Sequence, residues 1–314
     1  MEYNHISVLH TEVAQIIKEN SPIETAVDVT LGGGGHTTLL IEALTDNGKL
    51  IAFDRDAAAL DNFREKYQNE KSVILINRSF SQFEDVMKES GVEGVDFILA
   101  DLGISSHQVD TAERGFSFSK SGPLDMRMDR SSDYTLKDFL EETDEYEFIR
   151  ILREYGEERQ AARIAKGVLA AYEAGRIKDT AQLAQIISDI KNIPAWKIKT
   201  HPATKSFQAL RIHINDELGE LKSLLESVPS FLNRGGVFCV ITFHSLEDRL
   251  VKRLFHDLAH PEKQIPDHII LTRDEMPVAR FETFKSITPS KMEIERNPRS
   301  RSSRLRILRR NYED

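Results

Sequence analysis

The chain has 314 residues, enough for about two domains at roughly 150 residues each and for a sizeable core, which excludes a short linear binding module. With 40% hydrophobic and 30% charged residues and no apolar run near the ~18 residues that cross a bilayer, a globular, non-membrane chain is expected. Forty-two basic against 51 acidic side chains give a net charge of −9, which argues against a sequence-independent nucleic-acid coat.

Met1–Glu12 lacks the basic stretch and apolar core of a secretory leader, so a cytoplasmic protein is expected. Four short apolar runs follow: Ala26–Leu31, Leu50–Phe53, Val73–Ile76 and Val95–Ala100. Each is bounded by turn or polar residues, the pattern of buried parallel strands. Helical patterns separate them at Thr37–Leu44, Ala57–Tyr67 and Ser81–Glu89, the last opening with Ser81 and Glu84 at capping-box spacing. This alternation predicts a doubly wound α/β sheet.

It stops at about Asp110. Up to Thr200 the chain shows a Gly/Ser/Phe-rich loop, Arg114–Gly122, and helical segments near Asp144–Tyr155, Glu157–Tyr172 and Thr180–Ile190. An inserted all-helical domain, 110–200, is therefore expected to split an α/β domain made of 1–109 and 201–314. The α/β character returns with a helix from Ala203 to Leu218 continuing toward Phe231, a turn at Asn233–Gly236, a strand Gly236–Phe243 and a helix Ser245–Leu258. The period-2 stretch Arg304–Arg309 reads as a terminal strand showing its arginines on one side. Charge is uneven: Arg296–Arg310 holds seven arginines and no acid, whereas Asp110–Arg159 holds 14 acids against eight bases. A basic tail on an acidic body suits contact with one particular polyanion.

Asp28-Val-Thr-Leu-Gly-Gly-Gly-Gly-His36 places glycines between the first strand and a helix, where backbone can approach a ligand. The dinucleotide spacing G-x-G-x-x-G fails, since Thr37 and Thr38 occupy the third glycine's place, and no Walker lysine follows. Asp54, ending the second strand about 20 residues on, can accept from two ribose hydroxyls. An adenosine ribose without a pyrophosphate points to S-adenosylmethionine. Asp101 ends the fourth strand over the same crevice, Phe80 offers an aromatic face for adenine, and His244 follows the fifth strand, with Ser245 and Asp248 spaced as a helix-capping pair. Lys205, Gln208, Arg211 and Asn215 line one helix face; with Arg114, Phe116, Phe118 and the tail arginines Arg304 and Arg306 they are candidates for phosphate contacts and stacking surfaces. His256 and His260 lack a third ligand, and the lone Cys239 supplies neither a disulfide nor a multi-cysteine centre, so no metal is expected.

Thr30-Leu-Gly-Gly-Gly-Gly-His, Asp101-Leu-Gly-Ile-Ser-Ser-His-Gln108, Glu113-Arg-Gly-Phe-Ser-Phe, Gly122-Pro-Leu-Asp-Met-Arg-Met-Asp129, His201-Pro-Ala-Thr, Phe207-Gln-Ala-Leu-Arg-Ile, Thr242-Phe-His-Ser-Leu-Glu-Asp-Arg249 and Asn297-Pro-Arg-Ser-Arg resemble the bacterial small-subunit rRNA cytosine-N4 methyltransferases of the MraW type, in order from His5 to about Arg309. The resemblance implies a Rossmann-like class I methyltransferase sheet interrupted by a helical substrate domain. It further implies cofactor contacts at Gly34, Gly35, His36, Asp54, Phe80, Asp101 and Gln108. The expected substrate is a cytidine in the decoding region of 16S rRNA within the small ribosomal subunit. Cytosine's exocyclic amine needs acceptors in the site, and Asp101-Leu-Gly-Ile lacks the two prolines that many amino methyltransferases place after this strand; Asp101 with Ser105 or His244 is the expected catalytic set. Rival readings are a DNA amino methyltransferase, a nicotinamide oxidoreductase and a non-catalytic RNA-binding scaffold.

Overall fold

The structure, a computed structural model, describes residues 7–67, 70–194, 196, 200–266, 268–269, 271–272 and 275–311. It divides after Gly103 and again after Glu217 into two compact units, the outer segments forming one and Ile104–Glu217 the other.

The first unit is built on a seven-stranded sheet: β1 Ile23–Asp28, β2 Leu44–Phe53, β3 Val73–Ile76, β4 Val95–Asp101, β5 Leu232–Thr242, β6 Phe281–Thr283 and β7 Arg304–Arg310. Their order is β3-β2-β1-β4-β5-β7-β6, with β1 to β5 parallel and β7 antiparallel to both neighbours. Strand order reverses between β1 and β4, and in open α/β sheets that reversal opens a ligand crevice beyond the strands' carboxyl ends. In the described chain this edge carries Asp28 at the end of β1, Asp54 just after β2 and Asp101 at the end of β4. Val237–Ile241 of β5 are fully buried, as a strand covered on both faces must be. Helices α1 (His10–Glu19), α2 (Gly35–Ala43), α3 (Ala57–Lys66) and α4 (Phe83–Glu89) belong to this unit.

The second unit contains α5 (Ser106–Asp110), α6 (Leu136–Glu142), α7 (Glu145–Glu154), α8 (Ala161–Glu173), α9 (Thr180–Lys191) and α10 (Thr204–Asn215). It has a core of its own, in which Phe139 and Phe148 meet edge to face at 5.2 Å. Helices α11 (Glu217–Ser227), α12 (Ser245–Ala259) and α13 (Lys291–Arg296) complete the chain.

Several expectations are corrected. The insertion is longer than 110–200: Ala203, Phe207, Ala209 and Leu210 bury their apolar faces in the helical core, so α10 belongs with it. The long helix expected from Ala203 breaks at Asp216, whose φ of 45° ends α10. The Asn233–Gly236 turn lies inside β5, where the Asn233 amide donates to Asp96 Oδ1 at 2.7 Å. Ser81 and Glu84 form no capping box: the Ser81 hydroxyl turns to Ser79, Glu84 pairs with Lys88, and a 3-10 turn at Phe80–Gln82 precedes α4. β1 stops at Asp28, because Asp28 Oδ1 accepts from Thr30 N and bends the chain. Strand β7, expected as a terminal strand, is last in the chain but lies inside the sheet, flanked by β5 and β6.

Candidate functional site

Asp28 is buried, and its Oδ1 accepts from Thr30 N at 3.0 Å while Oδ2 accepts from the Thr37 hydroxyl at 2.7 Å. Burial raises its pKa against these hydrogen bonds. The Thr30 hydroxyl in turn accepts from Asp101 N at 2.6 Å, so one short chain of bonds fixes the ends of β1 and β4. Asp54 Oδ2 accepts from Gly32 N at 2.9 Å and Oδ1 from Asp56 N at 2.8 Å, which anchors the glycine turn to the end of β2. Burial pushes Asp54 up to about 6, with the Asp56 carboxylate adding to the rise.

The glycines divide their work. Gly34 has a φ of 76°, and a Cβ there would lie 2.7 Å from Phe63 Cδ2; a Cβ on Gly35 would run into the Ser7 side chain. Packing within the chain thus favours glycine at both positions, most firmly at Gly34. Only Gly33 among Gly33–Gly35 has nothing within 4 Å of where a Cβ would stand, so the open face of the turn is there.

At the end of β4, Asp101 Oδ2 lies 3.6 Å from Nε2 of buried His36, whose ring faces His10 with centroids 6.2 Å apart. Asp101 Oδ1 is buried and has no hydrogen-bond partner among the described residues. Burial, followed by the nearby carboxylates of Asp28 and Glu247, pushes Asp101 up to about 8. After β5, His244 takes a role other than the expected one. It caps α12 with Nδ1 3.4 Å from Glu247 N, and Nε2 lies 3.1 Å from Glu247 Oε1, so both ring nitrogens are turned onto one residue. The buried Glu247 carboxylate also accepts from Phe243 N at 2.8 Å and holds the turn. The expected Ser245–Asp248 cap is replaced by this His244–Glu247 box, because Asp248 is bound to Arg306. Phe80 opens the 3-10 turn after β3 and is half-buried against the sheet's core.

Ser105 and Gln108 lie in the second unit and lock each other at the start of α5. Ser105 Oγ accepts from Gln108 N at 3.2 Å, and Gln108 Oε1 from Ser105 N at 3.0 Å. Much of the proposed RNA-binding set is occupied. Arg114 is buried and donates to the Arg127 and Met128 carbonyls at 3.1 and 2.7 Å, and Phe116 is in the helical core. Phe118 stacks on His201 at 4.6 Å. Lys205 Nζ donates to the Glu157 carbonyl at 3.1 Å, and Arg211 forms a bidentate pair with Glu217 at 2.7 and 2.8 Å. Arg306 forms another with Asp248 at 2.7 and 2.9 Å, while Arg304 donates to Ser286 Oγ and sits 3.6 Å from the same Asp248. These arginines satisfy the chain's own acceptors, so the expectation that Arg304 and Arg306 simply face solvent is corrected. Cys239 is fully buried and burial pushes its thiol up, in keeping with the small hydrophobe expected.

The residues fit a nucleoside-bearing methyl donor: an acid after β2 for a ribose, an open glycine face, and an orphaned buried acceptor at the end of β4. Asp28, Thr30 and Glu247 escaped the sequence reading, although Asp28 ends its strand as Asp101 does. A parallel sheet with one antiparallel strand in this order, and this rim, define a class I S-adenosylmethionine-dependent methyltransferase. Residues 2–311 match the family described as the MraW methylase family. A ribosomal RNA small subunit methyltransferase H of Geotalea daltonii is 42% identical over 98% of both chains. Proteins of the same name from Citrifermentans bemidjiense and Clostridioides difficile are 43% and 38% identical over 98% of this chain and 98% and 99% of their own. The chain belongs to the MraW methylase family. No helix among the described residues is long and apolar enough to cross a membrane.

Proposed function

We propose that the protein methylates the exocyclic N4 of a cytidine in the decoding region of 16S rRNA, within the small ribosomal subunit. The observation that carries the chemistry is the buried, partnerless Oδ1 of Asp101 at the carboxyl end of β4, beside His36. Its relatives' name, ribosomal RNA small subunit methyltransferase H, supports the substrate class.

When bound, S-adenosylmethionine supplies a methyl group already activated as a sulfonium. Asp54 would hold the ribose and Gly33 would leave room for the chain of the methionine moiety, with Phe80 beside the base. Cytosine's amine lone pair is delocalised into the ring, so the chain must hold the N–H groups and draw the lone pair toward the methyl carbon. An amine that gains a methyl group must also lose one proton. Asp101, a stronger base than an ordinary carboxylate once ionised, is suited to accept it. Glu247 and His244 would keep the neighbouring turn rigid, and the self-contained helical unit would select the RNA.

Methyl transfer from labelled S-adenosylmethionine to small-subunit RNA from a strain lacking this gene, followed by mapping of the base, tests the reading. Label at a cytidine N4 is expected. Transfer to DNA alone, or to no RNA, overturns it.

A further inference from the structure

The segment before β7 contains the motif Asn297-Pro-Arg-Ser-Arg, which has no part in the site described at the strand ends. Two independent observations put it on the catalytic rim of the sheet. β7 runs antiparallel to β5, so its first residue, Arg304, pairs with Thr242, the last residue of β5. The turn Pro298–Ser302 therefore enters the sheet at the carboxyl edge, where β1 and β4 end in acids. Separately, Glu293 of α13 accepts from Leu9 N at 2.6 Å; the next residue, His10, faces His36, and His36 faces Asp101.

The turn is built to display arginines. Ser300 and Ser303 are buried and close it inward, Ser300 Oγ donating to the Asn297 carbonyl at 2.8 Å and Ser303 Oγ to the Ser300 carbonyl at 2.7 Å. Lys291, Arg296, Arg299 and Arg301 are all exposed around it, and Arg296 and Arg301 have no ion-pair or hydrogen-bond partner among the described residues. Of the two acids nearby, Glu293 is engaged by Leu9 and only Glu295 is exposed. A backbone already held by its own hydrogen bonds loses little freedom when it grips a partner.

We propose that this turn, through Arg296 and Arg301, grips the phosphate backbone of the substrate RNA flanking the target base. The inference rests on the RNA reading above and moves the phosphate contacts from Arg304 and Arg306, which are bound to Asp248 and Ser286, to side chains that are unpaired. Phosphate oxygens along a strand need several cations on one rigid edge, which this turn offers.

The test compares the full-length protein with an Arg296→Gln/Arg301→Gln variant on protein-free small-subunit RNA across a salt series. The slope of log affinity against log salt should fall by roughly 1 to 2 units, and affinity near 0.1 M salt by roughly 10- to 30-fold. S-adenosylmethionine affinity should not change, which reports that the variant is folded. Arg296→Lys/Arg301→Lys should retain the slope, and Arg306→Gln should leave it unchanged. An unchanged slope in the double Gln variant, while the wild type methylates RNA, overturns the inference and leaves the function standing. A loss seen only on assembled subunits overturns it in favour of a protein surface. A wild type that methylates no RNA overturns the functional reading and this inference with it.

Discussion

Binding of S-adenosylmethionine should release a proton, because Asp101, proposed to face the methyl donor, is neutral before the donor arrives. Asp101 is pushed up to about 8 by burial and by Asp28 and Glu247, so at pH 7 about nine-tenths of it is protonated. A cation within about 4–6 Å lowers a carboxylate's pKa by about 1 to 3 units and favours the ionised form. The cofactor carries a sulfonium and an ammonium, so Asp101 should give up most of its proton, close to one per site at pH 7. Asp54, at about 6, adds about a tenth of a proton at that pH and more below it. Affinity should then rise on the order of 100-fold between pH 5.5 and 7.5, a range in which an α-amino group still carries most of its charge. Titration calorimetry in two buffers of different ionisation enthalpy reads the released protons directly. Asp101→Asn should abolish most of the release and flatten the pH dependence. Buffer-independent heats together with a flat affinity over this range would refute the assignment of Asp101 to the donor's side of the site.

Asp54→Ala should weaken S-adenosylmethionine binding by about 1.5–3 kcal/mol, roughly 10- to 150-fold, measured by the same titration, since a charge-assisted acceptor is lost. Gly33→Ala should fold normally and weaken cofactor binding, because its Cβ meets nothing in the chain; Gly34→Ala should lower stability by about 2–4 kcal/mol in denaturant unfolding, from its φ of 76° and the Phe63 ring. Asp101→Asn should raise stability while removing activity. The raised folded-state pKa of Asp101 favours the fold fully below pH ~4, and that contribution is lost as pH rises toward about 8, so the variant's advantage in unfolding free energy should open from pH ~4, stop widening above 8, and reach at most about 5–6 kcal/mol.

How far the site was legible depended on what each residue's pattern exposes. Buried parallel strands announce themselves as short continuous apolar runs, and an acid that ends such a run is placed at the rim by the chain direction alone, so Asp54 and Asp101 were readable. Glu247 was not. The spacing of Ser245 and Asp248 satisfies a capping rule, and only the pairing of Asp248 with Arg306, 58 residues away, frees His244 and Glu247 to make the cap. Arginines show the same limit. Arg114, Arg211 and Arg306 look like RNA contacts in sequence, yet each fulfils acceptors of its own chain, and a guanidinium's partner is set by three-dimensional neighbours that spacing does not reveal. The block Glu113–Asp129 is the sharpest case. Its glycines Gly115 and Gly122 leave no room for a Cβ against the carbonyls of Pro123 and Ala112, so its specificity encodes a self-packed loop before it encodes any contact with substrate. The boundary of the insertion was misplaced for a related reason, since the apolar face of α10 shows that it must be covered but not by which core.

Among the described residues, Asp28 and Asp101 at the rim break the rule that buried charges come with lysine or arginine partners. Asp28, Asp101 and Glu247 lie close enough for Asp101 to feel both of the others; among the described residues neither Asp28 nor Asp101 pairs with a Lys or Arg, and the hydrogen bonds of Asp28 and Glu247 run to hydroxyl and backbone N–H groups. A fold selected for stability alone would replace such a group with apolar residues, because an uncompensated buried carboxylate costs far more than the hydrogen bonds around it return. Keeping it makes sense where a cation arrives from outside the chain. On the proposed reading, a sulfonium-bearing ligand would supply the missing charge at the moment the base is needed, and the same event that fills the site would turn Asp101 from a neutral acid into a proton acceptor.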